Sequence, residues 1–384
     1  MKILIAHNNY QISGGEDSVL ASEQKLLVTQ GEEVVLHCVS NDGITTVLSK
    51  ILAAIGVVFS ISQYVKFKQL LRLENPNVVH VHNYFPVMSP AIFYACKHMG
   101  IPIVHTLHNY RAVCPTALLM HDGRIVEKSI KGSAWWAVPK KVYRGSLLGT
   151  FALALMVEVH KKLGTWQHTV DRFITLTEFQ KNKYITAGWP AEKLSVKPNF
   201  TIDDGDISEV NRQPKAVFVG RLSDEKGINI LNEAWVNIDF SLDIIGDGDA
   251  LAHGNRWISQ LGKKEKKYVL TAIGSAQFIV VPSVCYEGFP MAIVESFACG
   301  TPVLCSRLGS MEEIVTDGET GLHFEAGNSA DLTNKAQWLI NNPDECLRMG
   351  RNARAEYLEK YTAEKNYEML MDIYQQAIDE AKKR

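Results

Sequence analysis

Three things are scarce in this chain: paired cysteines, long apolar runs and net charge. Its seven cysteines are odd in number and scattered, and no two stand in a Cys-x-x-Cys pair. That pattern fits reduced, buried thiols in a cytoplasmic protein and argues against a disulfide framework or structural zinc. The formal net charge of -2 gives no overall pull towards nucleic acid. The two most apolar stretches are residues 47–61, which carry Lys50 and fall short of the ~20 residues of a membrane span, and residues 147–157, which are shorter still and flanked by Lys140, Lys141, Arg144, Lys161 and Lys162. Neither reads as a transmembrane helix. The opening apolar run, residues 3–6, is far too brief for a signal peptide. What is present is ordinary for a soluble globular protein: 46% hydrophobic and 21% charged residues in 384, enough for two domains, each with its own core.

The first half alternates short β-branched runs with helical patterns. Strands are expected at 3–6, 33–37, 78–81, 103–106 and 173–176. A glycine-rich turn from Ser13 to Asp17 opens a helix that runs to Leu27, and a second helix is expected over 90–99. A polar stretch from Thr201 to Pro214 marks an inter-domain linker. The alternation then restarts, with strands at 216–219, 241–245, 278–281 and 302–305 and helices over 228–235, 264–273 and the segment after Pro290. Three helical patterns end the chain, over 330–341, 343–361 and 362–383. Strands alternating with helices imply parallel sheets covered on both faces.

The most informative segment runs from Val284 to Pro302. Two carboxylates, Glu287 and Glu295, lie eight positions apart around a Gly288-Phe289-Pro290 turn. The apolar run before the turn reads as a buried parallel strand, and Pro290 is suited to a first helical turn. Glu287 then belongs to the loop at the strand's C-terminal end and Glu295 to the following helix. That edge of an open α/β sheet is where ligands bind. Unpaired N–H groups at Gly288, Phe289 and Met291 would serve as donors there for an oxygen-rich ligand. Upstream, the run from Phe218 to Gly227 ends a strand at Gly220 and follows it with two cations, Arg221 and Lys226. Arginine offers a planar fork to phosphate and lysine a compact point charge.

This segment resembles the E-x7-E motif of the retaining glycosyltransferases of family 4, which have the GT-B fold, and the run from Gly220 to Gly227 is similar to that family's G-R-L-x-x-E-K-G pattern. The resemblance extends over nearly the whole chain, through Gly14-Gly15-Glu16, Thr106 to Arg111, Leu176 to Phe179, Lys197 to Phe200 and Ser306 to Val315. It departs at 249–267, where charge is denser than usual and the nucleobase pocket is less defined. The resemblance implies two Rossmann-like domains facing a cleft: residues 1–200 for the acceptor and 201–364 for a nucleotide-diphosphate sugar. A helix over 365–384 would cross back to the first domain. It also implies that Arg221 and Lys226 hold the donor diphosphate, Glu295 the ribose, and Glu287 the hydroxyls of the transferred sugar. Catalytic roles fall to His108, Arg221, Lys226 and Glu287. Donor contacts fall to Gly14, Gly15, Gly220, Arg221, Lys226, Glu287, Gly288, Phe289 and Glu295.

Other features admit plainer readings. Glu16 caps a helix as readily as it meets a ligand. His105 alternates away from His108 and reads as core. His80 and His82 have the spacing of a metal pair but no apparent third ligand, so a structural or acceptor-side role is preferred. The runs from Asp203 to Asp206 and from Gly246 to Asp249 resemble metal-binding Asp-x-Asp elements, yet turn chemistry accounts for both. With two cations for the diphosphate, no metal and no cofactor is required. The stretch from Trp135 to Arg144 and the apolar run after it stay open between an anionic-membrane contact and a buried helix with a solvated charged end.

The expected function is therefore retaining transfer of a sugar to a glycan or lipid-linked acceptor, in cell-surface polysaccharide or lipopolysaccharide biosynthesis. The expected location is cytoplasmic, at the inner face of the plasma membrane, with no nucleic-acid partner. A nucleotide-sugar epimerase of the same fold is the alternative. Front-face transfer is preferred, and Glu287 as a covalent nucleophile stays open.

Overall fold

The structure is a computed structural model that describes residues 1–9, 14–41, 46–203, 212–249 and 255–383, with 47–51 described by backbone alone. Ser13 of the expected glycine turn, most of the expected linker (204–211) and part of the charge-rich stretch (250–254) lie outside the described residues. The chain divides into two compact units. One comprises Met1–His121, Val126–Pro198 and the chain from Asn366 onward, and the other comprises Asp122–Ile125 and Asn199–Lys365.

The first unit is built on six parallel strands: β1 (Lys2–Asn9), β2 (Glu33–Ser40), β3 (Val78–Asn83), β4 (Ile103–Thr106), β5 (Arg172–Thr175) and β6 (Leu194–Val196). Their spatial order is β2-β1-β3-β4-β5-β6. β3 and β4 are buried at every position, as expected of parallel strands covered by helices on both faces. The strand order reverses between β1 and β3, so the ends of these two strands flank the opening of the sheet. The last helix, Ala363–Ala381, packs on this unit. Its Tyr374 hydroxyl lies 2.8 Å from His80 Nδ1, and Tyr367 donates to Glu32 at 2.8 Å.

The second unit repeats the architecture with β7 (Gln213–Val219), β8 (Ser241–Ile245), β9 (Ile258–Gly262), β10 (Ala276–Val281), β11 (Val303–Ser306) and β12 (Gly321–Phe324). The spatial order is β9-β8-β7-β10-β11-β12, all parallel. Its core joins Phe218, Leu231, Trp235, Phe278 and Leu304 with Leu332 and Met349 from the later helices. The order reverses between β7 and β10, which are hydrogen-bonded neighbours.

Several elements were not anticipated from the sequence. β6, β9 and β12 are edge strands, and β9 exposes Ser259 and Gln260, so no alternation marks it. The apolar stretches at 47–61 and 147–157 fold into the helices Val47–Gly56 and Leu147–Lys162. Among the described residues no helix is long and apolar enough to cross a membrane. Pro290 stands at the N-cap with extended ψ of 102° rather than within the first turn, and the helix begins at Met291.

Candidate functional site

The loops after β7 and β10 meet where the sheet order reverses, and they carry the two cations and Glu287, with Glu295 in the helix that follows. After β7 the chain turns through Arg221 and a short helical turn, Asp224–Lys226, into the helix Ile228–Trp235. Gly227 makes that turn possible. Its φ is 72°, and a Cβ there would lie 1.9 Å from Pro282 O, so only glycine lets the two loops touch. The contact is fixed further by Val284 N, which donates to Glu225 O at 3.0 Å.

Lys226 Nζ consequently reaches Glu287 Oε1 at 2.7 Å. Ser283 Oγ donates to the same oxygen at 2.6 Å, and Ser310 Oγ donates to Glu287 O at 2.8 Å. Burial opposes both charges, yet each ion holds the other: Lys226 is raised above its ordinary value and Glu287 lowered below it. Arg221 is open to solvent, its side chain 61% exposed, with Glu225 at 3.3 Å. Glu295 lies inside the helix Met291–Ala298 and pairs with Lys266 at 3.1 Å. Burial outweighs that lysine and raises the Glu295 carboxyl. Gly220 ends β7 and donates to Ile245 O. Gly288 and Phe289 lie between the two acids, and among the described residues their N–H groups, like that of Met291, donate to no protein acceptor. The Ser223 hydroxyl is buried without a hydrogen-bond partner. Ser223, Ser283, Ser310 and Lys266 were not anticipated. Their only signal in the sequence is proximity to the motif ends, and Lys266 lacks even that.

The first unit gathers a second cluster at the ends of β1, β3 and β4. The expected helix-capping role of Glu16 belongs to Asp17, whose carboxylate accepts from Gly14 N at 2.7 Å and faces His7 Nε2 at 2.8 Å. Glu16 instead faces Asn83 and Arg111. Burial and the adjacent Asp17 push its carboxyl up to about 7, against the pull of Arg111. A Cβ on Gly14 or Gly15 would meet no described atom within 4 Å, so packing does not require glycine at either position. His105 is core, as expected: its Nδ1 faces Val81 O at 2.8 Å among Tyr84, Phe93 and Trp166.

His108 is half-buried and held through a relay. Its Nε2 lies 3.0 Å from His82 Nδ1, and His82 Nε2 lies 3.0 Å from Glu23 Oε1. Burial acts against the Glu23 charge, but Lys197, His82 and His80 hold the carboxyl well below its ordinary value. Burial and His80 bring His82 down to about 4, so its ring is neutral. An ionised carboxylate only accepts, so His82 donates from Nε2 and accepts at Nδ1. His108 must then donate from Nε2, which leaves a lone pair on its Nδ1. Burial, then His82, also lowers His108 well below its ordinary value.

Glu23, His80 and His82 form the one group among the described residues with metal-ligand spacing, their ligand atoms within 4.8 Å of one another. The donor set does not fit a cation. Lys197 Nζ sits 3.0 Å from Glu23 Oε2 and 3.0 Å from Asn366 Oδ1, and it already supplies the positive charge. The His80 nitrogens face Tyr374 and Thr106 at 2.8 and 2.7 Å. The histidine pair therefore has a structural part in a lysine-centred network. The run from Gly246 to Asp249 is a turn. A Cβ on Gly246 would lie 1.7 Å from Gly220 O, and Asp247 O accepts from Leu222 N at 2.8 Å. Asp203 pairs with Arg354, and residues 204–206 lie outside the described residues.

Comparison with known proteins bears on both units. The family model Glycosyltransferase Family 4 matches residues 25–203, and the model Glycosyl transferases group 1 matches residues 200–356. An uncharacterized glycosyltransferase of Methanocaldococcus jannaschii is 28% identical, over 84% of this chain and 82% of that protein. The N-acetyl-alpha-D-glucosaminyl L-malate synthase of Bacillus anthracis is 23% identical over 97% of each. Among solved structures, the Anabaena HepE protein in complex with UDP matches with a TM-score of 0.66 at 16% identity, covering 97% of this chain and 99% of that one. The structural likeness carries the fold, two parallel six-stranded sheets in the GT-B arrangement. The two family models meet near residue 200 and between them span both units, and the chain belongs to the group 1 glycosyltransferases of family 4.

Proposed function

We propose that this glycosyltransferase moves a sugar, with retention at the anomeric carbon and without a metal, from a nucleotide-diphosphate sugar to a glycan or lipid-linked acceptor. One observation carries the reading: Arg221, Lys226 and Glu287 converge at the reversal of strand order between β7 and β10, and Glu295 lies in the helix that follows. The Anabaena protein's complex with UDP supports a nucleotide donor. In this reading Arg221 and Lys226 face the diphosphate, assisted by the unpaired Ser223 hydroxyl and the Gly288 and Phe289 amides. Glu295 accepts from the ribose diol, and Glu287 from a sugar hydroxyl. The glycine pair, Gly14 and Gly15, lets a ligand approach the backbone at the first unit. His108 offers its Nδ1 lone pair to a hydroxyl.

The acceptor oxygen attacks the anomeric carbon as the bond to the phosphate oxygen breaks. The bonding electrons pass to that phosphate oxygen, which also takes the acceptor's proton, giving a glycoside and a nucleoside diphosphate. Negative charge grows on the departing oxygen, where fixed cations stabilise the transition state more than the ground state. Glu287 is engaged by Lys226 and Ser283, which favours front-face transfer over attack by the carboxylate.

The setting proposed is polysaccharide or lipopolysaccharide assembly at the inner face of a membrane. Trp135, Leu147, Leu148 and Phe151 are exposed beside Lys140, Lys141 and Arg144, which supports contact with anionic lipid. A thermal-shift panel of nucleoside diphosphates and their sugars, then turnover with the best donor in the presence of a chelator, tests the enzyme reading. A product of inverted configuration, or no turnover without added metal, would contradict it. Net epimer formed from donor alone would turn the assignment to an epimerase.

A further inference from the structure

The first unit contains a cavity of about 370 Å³ that the donor chemistry leaves unused. It lies between the helices Val47–Gly56 and Leu147–Lys162, and the Phe85–Pro86 loop closes one side. Ala53, Ala54, Val57, Ala152 and Leu153 make its walls apolar. That volume is within the range of small-molecule sites, about 300–1,000 Å³, and too small for a helix about 10 Å across.

Two polar features interrupt the apolar lining. Asn41 is 7% exposed, lines the cavity and has no partner for its Oδ1. A buried acceptor without a donor is costly in an unliganded fold. Arg144 stands at the other end, exposed, on the same lining as Tyr143. Between residues 126 and 163 only Glu127 and Glu158 are acidic. Both are occupied, Glu127 by Lys183 and Glu158 by the Ala134 amide. Exposed Leu147, Leu148 and Phe151 continue the apolar lining outward.

The cavity also adjoins the surroundings of Glu16. Phe85 follows Asn83, whose amide faces Glu16. The Arg111 guanidinium lies over both the Phe85 ring, at 4.8 Å, and the Tyr143 ring, at 5.7 Å. One stack thus forms a wall of the cavity and touches the surroundings of Glu16.

We propose that this cavity is the subsite for the lipid portion of the acceptor, an alkyl or isoprenyl chain whose phosphate is met by Arg144. This rests on the reading of the acceptor as lipid-linked. The chain lies along Ala53, Val57 and Ala152.

The probe is dodecyl phosphate carrying a terminal diazirine, photolysed with the full chain and mapped by mass spectrometry. Adducts at Val57, Ala152 or Leu153 support the assignment. Adducts confined to Leu147 and Phe151 identify an outer membrane-facing surface and overturn it. Ala152→Trp fills the cavity and is expected to reduce labelling at least tenfold while leaving the thermal shift by nucleoside diphosphate unchanged. Arg144→Glu, at an exposed position, is expected to reduce it similarly. With acceptors of increasing chain length, KM is expected to fall about threefold to fourfold per methylene until the cavity is full. KM independent of chain length in an active enzyme would sink the subsite while sparing the transferase. Cavity labelling in a protein without transfer would do the reverse.

Discussion

Lys226 and Glu287 are 2.7 Å apart, with side chains 26% and 12% exposed, and removing the lysine does two separable things. It strands a carboxylate that burial already disfavours. Breaking a fully buried pair costs about 3–5 kcal/mol. This pair is partly open to water and Ser283 still donates to Glu287, so about 2 kcal/mol is expected. For a unit of this size that lowers Tm by roughly 4–8 °C. In the proposed reading it also removes a charge-assisted contact to the diphosphate, about 1.5–3 kcal/mol, or roughly 10–100-fold in affinity. Lys226→Met is therefore expected to lose both stability and nucleoside-diphosphate binding. Adding Glu287→Gln removes the stranded charge and should recover most of the Tm. It should not recover affinity if, as proposed, Glu287 meets the sugar and not the phosphates. Calorimetric unfolding and titration with nucleoside diphosphate on the wild type, both single variants and the double variant read the two effects independently. A double variant that binds as tightly as Glu287→Gln alone would show that the lysine serves only to neutralise its partner.

Glu295→Ala is expected to raise donor KM about tenfold or more with kcat within a few-fold, since ribose binding is common to ground and transition states; loss of kcat at constant KM would contradict the ribose role. His82→Gln should release the His108 ring, with kcat about tenfold lower and KM little changed. Nitrogen-15 shifts should report His108 as the Nε2–H tautomer in the wild type and a mixture in the variant, and an unchanged tautomer would refute the relay. Stability should also depend on pH through the first unit. His82 and His105 are held at about 4 and about 3 against an ordinary 6.5, so the unfolded chain takes up more protons below pH 6.5, and stability falls as pH drops from there towards 4. Glu16, raised to about 7 from 4.5, runs the other way: its contribution is full below 4.5 and lost as pH rises through 7. Glu16→Gln should therefore raise Tm above pH 7 and match the wild type near pH 4.5; no gain at pH 8 would rule out a buried, strained carboxylate.

What the sequence disclosed depended on how local each feature is. β3, β4 and β10 were legible because both faces are buried and β-branched residues dominate their apolar positions. β9 was not, because an edge strand with polar Ser259 and Gln260 on view lacks both a run and an alternation. The acids of the second unit were legible because one loop and one helical turn carry them within eight positions. The relay of the first unit was not, because Glu23, His82, His108, Lys197 and Asn366 come from five separate segments and nothing local links them. Glu16 and Asp17 show the limit from the other side. Adjacent acids at a helix start look alike in sequence, and only the backbone decides that Asp17 caps while Glu16 is buried.

The pairing of charges in the second unit bears on how it can act. A diphosphate site needs cations gathered in one place, and like charges repel. Here each cation has an acid of its own, Arg221 with Glu225, Lys226 with Glu287 and Lys266 with Glu295. The pairs offset the repulsion and fix each side chain before a ligand arrives. The acids differ in what holds them, since Glu287 is drawn down by its lysine while burial prevails at Glu295. A carboxyl whose charge is disfavoured gains most from a ligand that donates hydrogen bonds to its ionised form, and a vicinal diol offers two such donors. Glu295 is in that condition, whereas Glu287 is already drawn down by Lys226 and Ser283, both on its Oε1. This difference supports the proposed assignment of ribose recognition to the acid inside the helix and of lysine orientation to the acid in the loop. Interchanging the two environments, for instance by removing Lys266 through Lys266→Ala, should deepen the Glu295 dependence on ligand and steepen the fall of donor affinity as pH drops below the raised Glu295 value. An affinity that is flat across that range in the variant would detach Glu295 from the donor.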